Sequence, residues 1–537
     1  MNFDFKKNYK VEDFIFNTKW ENLPEKIKKQ AIICGIDLIN ALILGSKGNQ
    51  YKIGVNFAKK YYKEGDIELI GKEESLNLPG AVVAYSHASN SFDIDDGFNL
   101  VKGHPGTSFI AGVISSAIQE NITYKEFLEA LVVCYELSIR EGLALQNHYD
   151  YLHSTGTYGA FGTAAGMCKI LNLDKEQTNN ALSIADFHAP LTPVMRSVQN
   201  PSMNKDGVPF GALVGMQAVL ETLEGSQGGG YLLELPEYEE YVNNLDKLYM
   251  MVDLYFKPYT CCRWAHQPIE ASIDLIKDNN LNFNDFKEVK IFTFDSAAQL
   301  SKIKPKTTDE AQYNIAWPVA SAIVHGDVGI EQVIEGALDD KDVLKIMGIL
   351  KFEVDEELDS AFPEKRLAKV QIITKDDKVY TSDIYQASGE STDNVDINWI
   401  KNKFIKRTKS ILKEDGQKEI LNNLENNLNI KMKDLIKIIN NEIKWKVGVI
   451  YDSLWFFNGF CVNVYFTFYS SANESKIKNS TKIFITKFIV SGIYGTIFWK
   501  TVLKYYSFLW FCRILSLHVS CFLIRFALHR QWRRWII

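Results

Sequence analysis

The spacing of apolar residues changes along this chain of 537 residues, and that change limits the possible folds more than any other feature. Up to about residue 223, apolar side chains recur every three or four residues, which is typical of amphipathic helices. Between residues 289 and 384 there are runs in which apolar and polar residues alternate, which is typical of strands. Helical spacing returns over residues 399–441. This order predicts a mainly α-helical protein with an inserted α+β domain.

We predict four segments along the chain. They are the first part of a large helical domain (1–260), a small α+β lid (261–390), helices that return to the helical domain (391–444) and an atypical tail (445–537). The helices predicted inside the first three segments include 124–145, 154–171, 175–184, 268–278 and 316–325. The predicted strands are 289–294, 370–374 and 379–384, of which the last two form a hairpin.

The predicted helix over 154–171 contains Gly156, Gly159, Gly162 and Gly166 among alanines. Each glycine costs about 1 kcal/mol relative to alanine in a helix interior, so four of them work against local stability. Close packing against neighbouring helices compensates for that loss. We therefore expect this helix to be buried.

The net charge of −6 conceals two very different parts of the chain. Residues 1–444 carry 48 basic and 64 acidic residues, whereas residues 445–537 carry 12 and 2. An acidic body without a basic stripe repels phosphate backbones, which argues against nucleic-acid binding and favours small-molecule chemistry. Cysteines without C-x-x-C spacing predict reduced thiols, and the N-terminus has no apolar run of signal-peptide length. We predict a cytoplasmic protein.

The tail is rich in tryptophan and has an apolar run, 447–469, of the length of a membrane span. Asp452, Asn458 and Asn463 interrupt this run and would be costly in hydrocarbon. A membrane partner is therefore expected only if the tail is native. We favour the alternative that residues 445–537 are a non-native extension.

Four short motifs hold residues suited to catalysis. Asp93, Asp95 and Asp96 lie just before the sequence GHPG, in which a proline follows His104 and can start a helix from Thr107. His153 stands at the start of the glycine-rich helix, where free backbone amides favour an anion. Each feature also has an ordinary interpretation, the acidic run as a solvated turn and His153 as a core histidine.

The other two motifs supply cations. Lys205 follows the sequence SMN, and taken alone it would be read as a solvated surface lysine. Lys257, Cys262 and Arg263 lie in FKPYTCCRWAH at the predicted domain junction, which is a favoured place for a small-ligand cleft and equally a possible packed linker. The ligands in this motif are too clustered to form a tetrahedral metal site by themselves.

Together these motifs resemble the MmgE/PrpD family, which includes 2-methylcitrate dehydratase, cis-aconitate decarboxylase and iminodisuccinate epimerase. The likeness covers about residues 11–441. It rests on the sequences DIDDG (93–97), GHPG (103–106), HSTGT (153–157), SMNK (202–205), FKPYTCCRWAH (256–266) and EAQYNIAW (310–317). The resemblance implies a large helical domain with an α+β lid, a homodimer, and a cleft that needs no metal or organic cofactor.

Carried over by position, the resemblance implies a set of site residues. The catalytic residues would be Asp93, His104 and His153, and the substrate-binding residues would be Lys205, Lys257, Cys262, Arg263 and Trp317. Three positions depart from the decarboxylases: Gly97 replaces a threonine, Cys262 a histidine and Trp317 a tyrosine. These departures weigh against decarboxylation of cis-aconitate.

The leading hypothesis is a cofactor-independent lyase that removes water from a small di- or tricarboxylate, with 2-methylcitrate as the reference substrate. Such a reaction needs a base, an acid for the departing hydroxyl and cations for the carboxylates. In this hypothesis Asp93 orients His104, and His104 or His153 moves the proton. The alternatives are an epimerase of an imino- or amino-dicarboxylate, a decarboxylase of the cis-aconitate type, and a non-enzymatic carboxylate binder.

Overall fold

The computed structural model describes residues 3–393, 395–444, 449–457 and 460–467. The chain folds as two compact units, Met1–Lys444 and Trp445–Ile537. The first unit is mostly helical and contains one mixed sheet, as the sequence predicts. The finer predicted division of this unit at residues 260 and 390 stays a prediction.

The part of the first unit before residue 257 consists mainly of helices. They are α1 (Lys10–Asn17), α2 (Glu25–Gly45), α3 (Asn49–Tyr61), α4 (Leu78–Ser89), α5 (Pro105–Gln119), α6 (Tyr124–His148), α7 (Thr155–Leu171), α8 (Lys175–Phe187), α9 (Met195–Gln199), α10 (Val208–Leu223) and α11 (Glu239–Asn243). Its short strands are β1 (Glu64–Glu68), β2 (Ser75–Leu76), β3 (Asp96–Gly97) and β4 (Tyr255–Phe256), which pair as β1 with β2 and β3 with β4.

The glycine-rich helix α7 lies at the centre of this bundle. It packs against α5, α6 and α10, and every residue from Thr155 to Cys168 is buried. A β-carbon on Gly156 would overlap the carbonyl oxygen of Gly207, so only glycine allows this close approach. The expected burial of this helix is confirmed.

The mixed sheet is formed by the strands that follow. The remaining elements of this region are α12 (His266–Asp278), β5 (Phe286–Thr293), α13 (Asp295–Ala298), α14 (Thr308–Gln312), α15 (Ala316–His325), α16 (Ile330–Val333), α17 (Lys341–Met347), β6 (Leu350–Val354), α18 (Glu356–Ser360), β7 (Leu367–Thr374), β8 (Val379–Thr381) and β9 (Tyr385–Gln386). The sheet order is β6-β5-β7-β8, and β9 also pairs with β7. Only β5 and β6 run parallel among these described strands. The predicted hairpin of β7 and β8 is confirmed, although β8 is shorter than expected.

Three more helices complete the first unit: α19 (Ile397–Thr408), α20 (Glu414–Asn426) and α21 (Met432–Glu442). Helix α19 packs against α2. Its Lys403 is buried, pairs with Asp37 of α2 and donates a hydrogen bond to the carbonyl oxygen of Ile94 at 2.7 Å. The C-terminal helices thus contact and stabilise the loop that precedes β3.

In the second unit, β10 (Val449–Phe457) and β11 (Phe460–Thr467) form an antiparallel hairpin. The rest of the predicted tail lies outside the described residues. Within the part of the chain that the structure describes, no single helix has the length and apolar character to cross a membrane. Only α2 and α3, bent by 80° at their junction, meet that test together.

Candidate active site

The pairing of β3 with β4 brings two distant motifs together. Asp96 pairs with Phe256 in an antiparallel register, so the residue before Asp96 lies beside the residue after Phe256. These residues are Asp95 and Lys257. Nearby, His104 is the residue preceding α5, which begins at Pro105, two residues before the predicted start at Thr107. The acidic run, His104 and Lys257 therefore meet at one point.

Lys257 is fully buried at the centre of this cluster. Its Nζ lies 3.0 Å from Oδ1 of Asp93, 3.8 Å from Oδ1 of Asp95 and 2.8 Å from Nδ1 of His104. The carboxylate of Asp95 also accepts hydrogen bonds from Asn90 at 2.9 Å and Thr107 at 3.3 Å. One ammonium group thus holds two carboxylates and an imidazole in fixed positions.

The imidazole of His104 connects the cluster to Asp206. Its Nδ1 lies 3.0 Å from Oδ2 of Asp95, while its Nε2 lies 3.7 Å from Asp93 Oδ1 and 3.6 Å from Asp206 Oδ2. The His104 side chain is 12% exposed, which makes it the most accessible of these four. A proton on Nδ1 is directed to Asp95, and a proton on Nε2 is directed to the space between Asp93 and Asp206.

The charges in the cluster raise the pKa of some of its groups and lower the pKa of others. Burial and Lys257 both oppose the imidazolium form of His104, but the carboxylates of Asp95 and Asp93 outweigh them and raise its pKa. Burial opposes ionisation of Asp95, yet Lys257 and His104 lower its pKa. Burial raises the pKa of Asp206, with the charge of Asp93 adding to the effect. A protonated His104 therefore faces a carboxylate of increased basicity.

The second cation, Lys205, is buried beside the cluster. It lies next to Asp206 in sequence, and both residues have left-handed backbone conformations, with φ of 44° and 54°. The Lys205 ammonium donates a hydrogen bond to Oε1 of Gln312 and lies 3.4 Å from Oδ1 of Asp309. Gln312 in turn donates to the carbonyl oxygen of Ser91 at 3.0 Å. Lys205 is thereby tied to the same loop as Asp93.

Cys262 and His153 are two further predicted site residues. Cys262 is half-buried, and burial followed by the charge of Asp93 raises the pKa of its thiol to about 12. His153 is fully buried, and its ring packs on Tyr151 at 4.3 Å between centroids. Among the described residues, neither ring nitrogen of His153 has a hydrogen-bond partner. Its neighbour Thr155 accepts a hydrogen bond from the His104 backbone at 3.1 Å.

Arg263 and Trp317 have contacts of a different kind. The guanidinium of Arg263 is bound to Glu390 at 2.8 Å and to the carbonyl oxygens of Ala387 and Ser388 at 2.9 and 3.0 Å. The buried indole of Trp317 donates to the carbonyl oxygen of Gln332 at 2.8 Å. These contacts favour a role for Arg263 and Trp317 in holding the surrounding segments in place. That either residue contacts the substrate stays a prediction.

Sequence reasoning missed three residues of this neighbourhood as site members. Asp95 lies inside the DIDDG motif and Asp206 directly follows the SMNK motif, and those positions could have marked both as site residues. Burial raises the pKa of the Tyr313 hydroxyl, and the charges of Asp206 and Asp93 add to that effect. Its ring lies 5.6 Å from Lys205 Nζ. Tyr313 lies inside the quoted motif EAQYNIAW, so its position in that motif is the signal that could have marked it.

Asp93, Asp95 and His104 each offer a ligand atom within 4.8 Å of the others, so this trio could hold a metal ion by spacing alone. The Lys257 ammonium, however, lies within hydrogen-bond distance of both Asp93 and His104. A metal cation there would be repelled by that ammonium. The donor set therefore fits an internal cation better than a resident metal.

Family models match most of the first unit. A model of the MmgE/PrpD N-terminal domain matches residues 10–237, and a model of the MmgE/PrpD C-terminal domain matches residues 259–428. The chain belongs to the MmgE/PrpD family. The predicted family membership is thereby confirmed.

Two curated relatives carry names that refer to decarboxylation. The chain is 23% identical over 369 residues to the cis-aconitate decarboxylase-like protein oryM of Aspergillus oryzae, covering 61% of this chain and 75% of the relative. It is 24% identical over 280 residues to cis-aconitate decarboxylase of Aspergillus terreus, covering 48% of this chain and 57% of that protein. At this identity the relatives support an enzyme of the family, and they leave the exact reaction open.

One departure of this MmgE/PrpD protein from the decarboxylases has a structural counterpart. A β-carbon on Gly97 would overlap Cζ of Tyr255, its partner in β4. The Tyr255 ring is in turn flanked by Arg263 and Arg366, whose guanidinium carbons lie 5.2 and 5.0 Å from its centroid. A threonine at position 97 would therefore require Tyr255 to move.

Proposed function

We propose that this protein is a lyase that removes water from a small hydroxy di- or tricarboxylate by acid–base catalysis, without a metal or organic cofactor. The observation that carries the proposal is the arrangement of His104 Nε2 opposite Asp206, held by Lys257 and Asp95 and flanked by Lys205. Elimination of water needs an acid and a base of matched strength close to one another, together with a cation for the substrate.

In the proposed reaction, the protonated His104 donates the Nε2 proton to the departing hydroxyl, which leaves as water. The raised pKa of His104 favours this protonated state near neutral pH. Asp206 takes the proton from the carbon next to a substrate carboxylate, and the electrons of that C–H bond form the new double bond. Its Oδ1 is buried and has no hydrogen-bond partner among the described residues, which leaves a lone pair for this proton.

The two lysines have different tasks in this proposal. Lys257 donates to Asp93 and lies 2.8 Å from Nδ1 of His104, so its charge balances the carboxylates of Asp93 and Asp95 that surround the acid. Lys205 binds a substrate carboxylate, because Gln312 accepts one of its three N–H donors and Asp309, an ion-pair partner at 3.4 Å, takes at most one more. At about 4 Å and an effective dielectric of 20, such a charge pair is worth roughly 4 kcal/mol.

Decarboxylation is the second candidate, because the names of the relatives favour it. Three positions stand against it: Cys262, Trp317 and Gly97, which is packed against Tyr255. By the resemblance, the decarboxylases of the family carry threonine, histidine and tyrosine at positions 97, 262 and 317. Epimerisation would use the same acid and base on one carbon.

One experiment separates these reactions. The full chain is incubated in deuterated water with 2-methylcitrate, citrate, cis-aconitate and iminodisuccinate, and the products are followed by NMR. New alkene signals from a citrate with all carboxylates retained support dehydration. Loss of a carboxylate from cis-aconitate supports decarboxylation, and deuterium uptake with unchanged constitution supports epimerisation. If none of the four reacts, the proposal fails.

The proposal includes a homodimer. Phe187 at the end of α8 and Phe210 on the adjoining α10 are 81% and 62% exposed, and Leu191 is 46% exposed. Exposed large apolar side chains on helices that pack together, as α8 and α10 do, are a feature of protein interfaces. Sedimentation equilibrium of the full chain is expected to give twice the mass of 61.3 kDa.

A further inference from the structure

Tyr313 carries a buried hydroxyl whose role the reaction above does not explain. Its side chain is 4% exposed, and within the described residues the hydroxyl has no hydrogen-bond partner. A buried polar group without a partner lowers the stability of a fold, and in Tyr313 that group lies beside the residues of the candidate site. Tyr313 follows α14 directly, next to the residues that hold Lys205.

The position of Tyr313 is set by its neighbours. Its backbone N–H donates to the carbonyl oxygen of Asp309 at 3.1 Å. The preceding Gln312 is fixed at three points, since it accepts from Lys205, donates to Ser91 and accepts from the backbone of Cys262 at 2.8 Å. The phenol is thus held by a rigid segment, as a substrate contact requires.

The surroundings keep the hydroxyl protonated. Burial raises the pKa of Tyr313 well above its ordinary value, and the charges of Asp206 and Asp93 act in the same direction. The group is therefore a hydrogen-bond donor throughout the physiological pH range, and it is too weak an acid to exchange protons with substrate. Its chemistry suits the binding of an anionic oxygen.

Lys205 lies over the same ring, with Nζ 5.6 Å from the ring centroid. The ammonium has three donors: Gln312 accepts one, and the Asp309 carboxylate, an ion-pair partner 3.4 Å away, can take at most a second. One N–H of Lys205 and the O–H of Tyr313 thus remain for a ligand. A carboxylate has two oxygens and can accept from both.

We propose that the Tyr313 hydroxyl donates a hydrogen bond to the substrate carboxylate that Lys205 binds. This inference rests on the proposed function, because it assigns a second contact to the same substrate. Tyr313 thereby selects for a ligand with a carboxylate at this end over one with a neutral group. It acts on binding and leaves the proton transfers to His104 and Asp206.

The test compares Tyr313→Phe with Tyr124→Phe. The Tyr124 hydroxyl is likewise buried and lacks a partner among the described residues, but Tyr124 packs on Phe127 within the helical bundle. Both variants keep the ring and remove one such hydroxyl, so both should melt at or above the wild-type temperature. Removing a hydrogen bond to a charged group typically lowers affinity by about tenfold to a hundredfold.

Affinity is measured by calorimetry with tricarballylate, a tricarboxylate that has no hydroxyl to lose. Turnover is measured with whichever polycarboxylate the wild-type chain converts. Tyr313→Phe is expected to weaken tricarballylate binding by about tenfold to a hundredfold and to raise KM similarly, with kcat changed less. Tyr124→Phe should match the wild type in tricarballylate affinity, KM and kcat.

The outcomes separate the two proposals. Wild-type activity together with a Tyr313→Phe variant that binds and turns over within twofold of the wild type overturns the role of Tyr313 and leaves the proposed function intact. A loss of kcat without a change in affinity also overturns it, because the contact would then not be to the bound carboxylate. A wild-type chain that neither binds tricarballylate nor converts a polycarboxylate overturns the proposed function and this inference with it.

Discussion

Replacing Lys257 by methionine removes the one ammonium that three buried groups share. Methionine keeps most of the volume of the side chain, so the change isolates the charge. The carboxylates of Asp93 and Asp95 then lie side by side in a buried position without their cation. His104 loses a neighbour that opposes its protonation, so its pKa should rise further.

The size of the effect follows from the distances. At an effective dielectric of 20, attraction of Lys257 is about 5 kcal/mol to a carboxylate oxygen at 3.0 Å and about 4 kcal/mol to one at 3.8 Å. Desolvation of the ammonium offsets much of this attraction in the wild type. Removing one partner of a buried ion pair nevertheless costs about 3–5 kcal/mol, because the other partner stays buried and uncompensated. We expect a loss of that size in the free energy of unfolding near pH 7.5.

The loss should depend on pH with a definite sign. In the wild type, Lys257 lowers the pKa of Asp95, so the stabilisation is present above the unfolded pKa of about 3.9 and disappears as pH falls through the folded pKa. In the variant, the unpaired carboxylates favour protonation in the folded state. The difference in stability between the two proteins should therefore be largest near pH 7.5 and shrink toward pH 4.5.

Urea denaturation at pH 7.5 and pH 4.5, followed by tryptophan fluorescence, measures this difference. Lys7→Met is the matched control, since Lys7 pairs with Glu176 at the surface, where side-chain exposures are 38% and 61%. Its loss should stay below about 1 kcal/mol. A loss below about 1 kcal/mol for Lys257→Met at pH 7.5, or one that does not diminish at pH 4.5, would refute the assignment of Lys257 as the counter-charge of the cluster.

Three further predictions concern the same region. His104→Gln should lower turnover by about a hundredfold or more and leave tricarballylate affinity near normal. The control His325→Gln, at the surface, should change neither property. Unchanged turnover in His104→Gln would reject the acid role of His104. Gly97→Thr should lower the free energy of unfolding in urea by about 1–3 kcal/mol because its β-carbon meets Tyr255, and it should not create cis-aconitate decarboxylation. Burial and the charges of neighbouring carboxylates raise the pKa of Asp96 to about 7, so wild-type stability relative to Asp96→Asn should fall by roughly 4 kcal/mol as pH rises from about 4 to 7; parallel pH profiles would contradict this.

The helices and strands could be predicted because their signal is local. Residues 124–145 and 316–325 have helical spacing in their own sequence, and the observed helices are Tyr124–His148 and Ala316–His325. Family membership likewise followed from short ordered motifs, and the family models confirm it. Element boundaries were less accurate, as the end of β8 at Thr381 illustrates, because the end of a strand is set by its partner.

The contacts within the candidate site could not be predicted from local sequence patterns. Asp93 and Lys257 are 164 residues apart, and their pairing depends on the register of β3 against β4. Arg263 binds Glu390 because a segment that is distant in sequence folds against Arg263. Nothing near Tyr313 in sequence marks its hydroxyl as unpartnered among the described residues.

The sequence by itself determined the order of helices and strands, the acidic character of the body and the residue types available for acid–base chemistry. Each of these depends on neighbours within about one turn of helix or one strand. Only the tertiary structure decided which carboxylates face His104, which lysine lies among those carboxylates and which lies beside Gln312 and Asp309. Those properties depend on distances and burial between remote segments, and electrostatic energies change steeply with both.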